Sequence, residues 1–190
     1  MYHILQILCE FLKVRKSSQN TAFSGILRKK YIMIKILFVC HGNICRSPMA
    51  EFLFKSYVHR HCADSQFYIA SAATSTEEIG NPVHRGTRAK LNQLGIDCSG
   101  KRAVRLTGAD YEKYDYLIGM DDWNVRNILR IVGKDSQQKV WKLLDFTQRA
   151  GEEIADPWYT GDFETTYRDI MEGLDGLWRH LAESGELKED

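Results

Sequence analysis

A single α/β domain, with a four-stranded parallel sheet doubly wound by helices on both faces, is the fold class this sequence predicts. The run Ile34-Lys35-Ile36-Leu37-Phe38-Val39 is nearly continuous in β-favouring residues, as a strand covered on both faces requires. Three more short apolar runs follow it, separated by stretches that carry helix signals. Near its end the chain carries Phe163, Tyr167, Ile170, Met171, Leu174, Leu177, Trp178 and Leu181 at helical spacing, one apolar stripe that must pack on the sheet.

Residues 1–32 stand apart from this pattern. Tyr2, Ile4, Leu5, Leu8, Phe11 and Leu12 form a short apolar helical face, and a basic stretch ending in Arg28-Lys29-Lys30 follows. This extension is expected to be an appendage from an upstream start codon, with a membrane-surface helix as the other reading. Met33 immediately precedes the first strand, so the domain is expected over 33–190. After strand 34–39 a loop containing Gly42 leads into a helix over about 47–61, with Pro48 in the first turn, where a missing N–H costs nothing. Phe67–Ala73 reads as the second strand. Thr107 is placed to cap a short helix before a third strand over 116–120. Asp121-Asp122 suits the start of a helix running to about Val132, because acidic groups complement the positive end of a helix dipole. The fourth strand is expected over 140–144.

The 190 residues carry 26 basic and 25 acidic side chains, a net charge of +1, so no global field favours nucleic acid or an anionic membrane. Any anion affinity must be local. Glu10, Lys13, Arg15 and Lys16 interrupt the N-terminal apolar stretches, leaving nothing near the roughly 20 apolar residues of a membrane span. Five unevenly spaced cysteines (Cys9, Cys40, Cys45, Cys62, Cys98) with no secretory cleavage signal suit a reducing, cytoplasmic setting. Cys62 and Cys98 read as structural. No metal site or organic cofactor is expected, and the oligomeric state is not encoded in any feature of the sequence.

The chemistry lies in Cys40-His41-Gly42-Asn43-Ile44-Cys45-Arg46-Ser47-Pro48, where a cysteine and an arginine flank five residues between a strand and a helix. In an open parallel sheet ligands sit beyond the carboxyl ends of the strands, facing a helix N-terminus. Loop N–H groups there can converge on an anion, with Gly42 expected to supply the unusual backbone conformation. A thiol at the base of that cradle is pushed toward thiolate by the helix end and the guanidinium. Arg46 can grip two phosphoryl oxygens as a fork, which lysine cannot. Spacing alone is weak evidence, since Cys9 and Arg15 also flank five residues. That pair lacks a glycine and a preceding strand, and Glu10 sits beside the thiol.

The nine-residue segment resembles the signature of the low-molecular-weight protein tyrosine phosphatases. Ser71-Ala72-Ala73-Thr74-Ser75, Ile79-Gly80-Asn81-Pro82, Tyr114-Asp115-Tyr116, Met120-Asp121 and Asp156-Pro157-Trp158-Tyr159 also look like family segments in the family's order. The resemblance runs from about Met33 to the C-terminus. It implies a phosphate-binding loop after the first strand, a phosphocysteine on Cys40, Arg46 as phosphate clamp, and phosphotyrosine proteins or small aryl phosphates as substrates. Asp156, read without the family, is equally an ordinary turn residue before proline; with it, Asp156 is the general acid that the phenol leaving group requires. By the same resemblance His41, Gly42, Asn43, Ile44 and Cys45 line the phosphate, Asn43 holds the loop in shape, Ser47 hydrogen-bonds the thiolate, and Trp158 and Tyr159 wall the entrance. Cys45 reads equally as a small buried hydrophobe or as a second thiol able to pair reversibly with Cys40.

The sequence departs from the family in three places. Many members carry a histidine that supports the loop within the segment matching Ser99-Gly100-Lys101-Arg102-Ala103; here there is none, and His84 is the one candidate to compensate. Glu77 stands where many eukaryotic members put an aromatic residue, and His41 replaces a more usual leucine. Three alternative functions follow. An arsenate reductase of this type needs closely paired downstream cysteines, which Cys62 and Cys98 do not supply; resembling protein-arginine phosphatases carry threonine where Ile44 stands. A non-catalytic phosphate-binding module would need neither a thiol nor an acid.

Overall fold

The computed structural model describes residues 33–187. The extension 1–32, with its apolar face and basic stretch, lies outside the described residues. Strand β1 (Ile34–Cys40) occupies an inner position in a four-stranded, all-parallel sheet of order β2-β1-β3-β4, with β2 (Phe67–Ala73), β3 (Tyr116–Gly119) and β4 (Val140–Lys142). Alternation along β1 sorts its side chains between the two faces. Ile34, Ile36, Phe38 and Cys40 enter a core with Leu53 and Phe54 of α1 (Arg46–Arg60), Leu91 of α2 (Arg85–Gln93) and Ile170, Leu174, Leu177 and Leu181 of α6 (Phe163–Glu183). Leu37 and Val39 enter the opposite core with Tyr111 of α3 (Asp110–Lys113) and Ile128 of α4 (Asp122–Val132). The predicted doubly wound sheet is therefore the observed one. Among the described residues no helix is long and apolar enough to cross a membrane.

Several boundaries shift for local reasons. Helix α1 begins at Arg46. Thr107 does not cap α3; its N–H and hydroxyl instead donate to Asp110 Oδ2, both at 2.8 Å. The fourth strand stops at Lys142 because Leu143–Phe146 turns into a 3₁₀ segment that buries Leu143 and Leu144 against α6. Helix α2 was not legible in the sequence. Only Thr87 and Leu91 of its nine residues are buried, and its cap is His84, whose Nδ1 accepts the Gly86 N–H at 3.2 Å.

Helix α6 reaches the 3₁₀ segment through glycine. A Cβ on Gly176 would collide with the Phe146 carbonyl, a backbone atom that no side-chain rotation can clear. Gly176→Ala is therefore expected to destabilise the domain by about 1–3 kcal/mol despite alanine's better helix propensity. A lowered urea midpoint at unchanged m-value would show it, and an equal or raised midpoint would refute the close packing.

Candidate active site

Cys40 is the last residue of β1 and Arg46 the first of α1, so the loop between them spans the carboxyl edge of the sheet at the start of a helix. Cys40 Sγ lies 3.1 Å from Ser47 Oγ and receives the Asn43 N–H at 3.3 Å. Asn43, not Gly42, adopts the left-handed conformation, at φ 56°. Asparagine tolerates that region better than most residues. Here its side chain is fully engaged: Nδ2 donates to Ser47 Oγ and Ser71 Oγ, both at 2.8 Å, and Oδ1 accepts the Val104 N–H at 3.1 Å. The demand on Gly42 is different. A Cβ there would stand 3.1 Å from Glu78 Cγ, so the loop lies close under that side chain.

The Arg46 guanidinium is buried, and two carboxylates hold it. Nη1 donates to Asp121 Oδ2 at 2.5 Å and to the Ile154 carbonyl at 3.1 Å, while Nη2 donates to Asp156 Oδ2 at 2.6 Å. Nε is buried without a hydrogen-bond partner. Burial works against the guanidinium's charge, yet the charges of Cys40, Asp156 and Asp121 outweigh it and raise its pKa further. Asp121 serves twice, since its Oδ1 also caps α4 by accepting the Asn124 N–H at 2.6 Å.

Asp156 reaches the site from the far end of the chain. It caps the four-residue helix α5 (Pro157–Thr160), accepting the Trp158 N–H on Oδ1 at 3.1 Å, which leaves Oδ2 facing the arginine. Trp158 and Tyr159, 56% and 85% exposed, stand with Trp123 around a cleft of about 390 Å³. His41, Gly42, Ile44 and Cys45 also line it, as do Glu77 and Glu78. His41 Nε2 and Glu77 Oε2 pair at its mouth, 3.1 Å apart.

Every site residue predicted from the sequence thus gathers here: nine line the cleft directly, Tyr159, Cys40 and Arg46 included, while Asn43 and Ser47 sit beneath it. Cys45 is buried, and that burial, followed by the neighbouring charge of Cys40, pushes its thiol up to about 12. His84 does not take up the supporting role considered for it. Its N–H donates to the Ile44 carbonyl at 2.9 Å, and its ring stacks on Phe163 at 5.2 Å. Lys101 occupies the support position instead, 3.0 Å from Glu51 Oε2. Sequence reasoning missed Asp121, Glu51, Ser71 and Lys101 as parts of the site. Asp121 carried a signal as an acidic residue at a helix start, and Ser71 and Lys101 lay in segments matched to the family, but nothing in the sequence marked Glu51.

A sulfur beneath a forked cation and beside a carboxylic acid, at the end of a strand, can attack a phosphoryl group, hold its oxygens and protonate a leaving oxygen. The comparisons agree with that chemistry. The family model described as low molecular weight phosphotyrosine protein phosphatase matches residues 35–189. The chain is 34% identical over 156 residues to the low molecular weight protein-tyrosine-phosphatase YfkJ of Bacillus subtilis, covering 82% of this chain and 100% of that one. PtpA of Staphylococcus haemolyticus is 35% identical over 158 residues, 83% of this chain and 99% of its own. The crystal structure of YfkJ superposes with a TM-score of 0.77 over 82% of this chain and 98% of its own. That of the Streptococcus pyogenes low molecular weight protein tyrosine phosphatase gives 0.67 at 39% identity, over 80% and 93%. With sequence and fold in accord across nearly the whole domain, this chain belongs to the low molecular weight phosphotyrosine protein phosphatase family.

Proposed function

We propose that the protein hydrolyses phosphotyrosine and small aryl phosphates through a phosphocysteine on Cys40, with Arg46 as clamp and Asp156 as general acid. The observation that carries this reading is the orientation of Arg46. Asp121 and the Ile154 carbonyl anchor one side of the guanidinium, while the Nε and Nη2 edge holds one free donor and one donor lent to Asp156. A phosphoryl dianion accepting from that edge takes Nη2 from Asp156, so the arrival of substrate frees the carboxylate to take up a proton from solvent and become the acid. Cys40 Sγ then attacks phosphorus as the P–O bond to the phenol breaks, and Asp156 delivers its proton to the departing oxygen. In the second half Asp156, now a base, takes a proton from water, which attacks phosphorus and returns Cys40 as thiolate. Trp123, Trp158 and Tyr159 suit an aromatic ring at the mouth. The family match over 35–189 supports residues 33–190 as the phosphatase domain, with 1–32 as an appendage. The near-equal balance of basic and acidic residues supports phosphoproteins rather than nucleic acid as partners.

Turnover of phosphotyrosine, phosphoserine, phosphoarginine and p-nitrophenyl phosphate tests the assignment. Phosphotyrosine and p-nitrophenyl phosphate are expected to be hydrolysed well and the other two poorly. Asp156→Ala is expected to lose about 10²–10⁴-fold in kcat on phosphotyrosine and less on p-nitrophenyl phosphate, whose more stable leaving group needs a proton less. Equal losses on both esters would remove Asp156 from the acid role, and preferential turnover of phosphoarginine would replace the substrate class.

A further inference from the structure

Asp156 and the phosphate loop are far apart in the chain, and a half-buried histidine lies between them in the fold. The His84 N–H donates to the Ile44 carbonyl of the loop at 2.9 Å, and its Nδ1 accepts the Gly86 N–H at 3.2 Å. The first bond fixes its backbone against the loop and the second fixes its ring. That ring lies nearly parallel to Phe163, the first residue of α6, with centroids 5.2 Å apart and planes 7° apart. It also meets Trp158 of α5 in an edge contact, at 5.7 Å and 69°. We propose that His84 is a positioning residue for the general acid: its ring carries the placement of the phosphate loop to Trp158 and, through the Trp158 N–H, to the Asp156 carboxylate.

Each link is a contact of the folded chain. Asp156 Oδ1 accepts the Trp158 N–H at 3.1 Å, so a movement of Trp158 moves the carboxylate that must reach the leaving oxygen. More than half of Trp158 faces solvent, and a side contact with a fixed ring therefore weighs heavily in where it rests. Phe163 is itself wedged. It packs against the cluster of Ile44, Cys45 and Ala103, and its ring lies so close to Gly86 that a Cβ there would collide with it. Burial and the charge of Arg85 hold His84 below the ordinary imidazole range against the opposing charge of Glu78. The neutral ring carries its proton on Nε2 and keeps Nδ1 as the acceptor for Gly86. Aromatic pairs are individually weak, but an acid displaced by about 1 Å from its working position can lose up to about 10²-fold in rate.

This inference rests on Asp156 as the general acid, and its test separates the two. In the full chain kcat/KM reports the half-reaction in which Cys40 attacks and the phenol departs, so its dependence on leaving-group acidity reads the proton that Asp156 supplies. His84→Asn keeps an N-cap acceptor and removes the ring. It is expected to lose about tenfold on phenyl phosphate but stay within about twofold on 2,4-dinitrophenyl phosphate, whose leaving group needs no proton. His84→Phe keeps the ring faces and removes the cap; it should lower the urea midpoint yet hold phenyl phosphate turnover within about threefold of wild type. In an Asp156→Ala background His84→Asn should cost nothing further. Equal losses on the two esters, wild-type turnover of phenyl phosphate, additive losses in the double variant, or a loss in His84→Phe as large as in His84→Asn would each overturn the proposal. Should His84→Asn fail to fold, Phe163→Leu removes the stacked partner instead and must show the same leaving-group dependence for the proposal to stand. If Asp156→Ala itself loses no more on phenyl phosphate than on the dinitrophenyl ester, the acid assignment falls; a steep loss there with a flat one in His84→Asn sinks the positioning role alone.

Discussion

Cys40→Ser is expected to lower kcat/KM for phosphotyrosine by about 10⁴-fold or more while leaving the fold and phosphate binding nearly intact. A serine oxygen can keep the contacts that Cys40 Sγ makes with Ser47 Oγ and the Asn43 N–H, at 3.1 and 3.3 Å, so little packing changes. What it cannot keep is a readily ionised nucleophile, because an alcohol holds its proton far more tightly than a thiol. Among the described residues lining the cleft, no second nucleophile stands ready to replace it. The Cys45 thiol lines the cleft, but burial pushes it up to about 12, well out of the range in which it would ionise. Calorimetric titration with inorganic phosphate should give wild-type affinity within a few-fold, because Arg46 and the loop are untouched. Turnover above about one per cent of wild type, with phosphate binding preserved, would show that the sulfur is not the attacking atom.

Such a sharp expectation for one atom is available because its surroundings are local in sequence. Strand β1 declares itself, since both faces are buried and the run is therefore apolar but for Lys35 near its start; the loop and Arg46 follow within six residues. The conformational detail was harder. Gly42 looked like the residue with unusual backbone, yet Asn43 takes the positive φ, because three side-chain hydrogen bonds hold it there. Helix α2 escaped notice for want of an apolar stripe, its buried face being only Thr87 and Leu91. Distant partners were harder still. Lys101 reads as a solvated loop lysine until the chain folds and brings it to Glu51, fifty residues earlier. Asp121 read as a helix cap and is one, but a carboxylate has two oxygens, and only the fold shows where the second points.

That second oxygen underlies the other large effect. Arg46→Lys is expected to cost on the order of 10³-fold in kcat/KM, most of it in kcat. Lysine keeps the positive charge but offers one nitrogen where arginine offers three in a fixed plane. Arg46 uses Nη1 to bind Asp121 and the Ile154 carbonyl, and that anchorage leaves the Nε and Nη2 edge for the phosphoryl group in the proposed reaction. A lysine ammonium drawn to Asp121 or Asp156 would leave the phosphoryl oxygens with no forked partner. The loss should be greatest where charge spreads over equatorial oxygens, that is, in the transition state. Vanadate, which can adopt the trigonal bipyramidal geometry of that state, is therefore expected to lose far more affinity than inorganic phosphate in Arg46→Lys. Equal losses for the two anions, with KM rather than kcat carrying the defect, would mean that Arg46 merely attracts the substrate and does not follow its charge through the reaction.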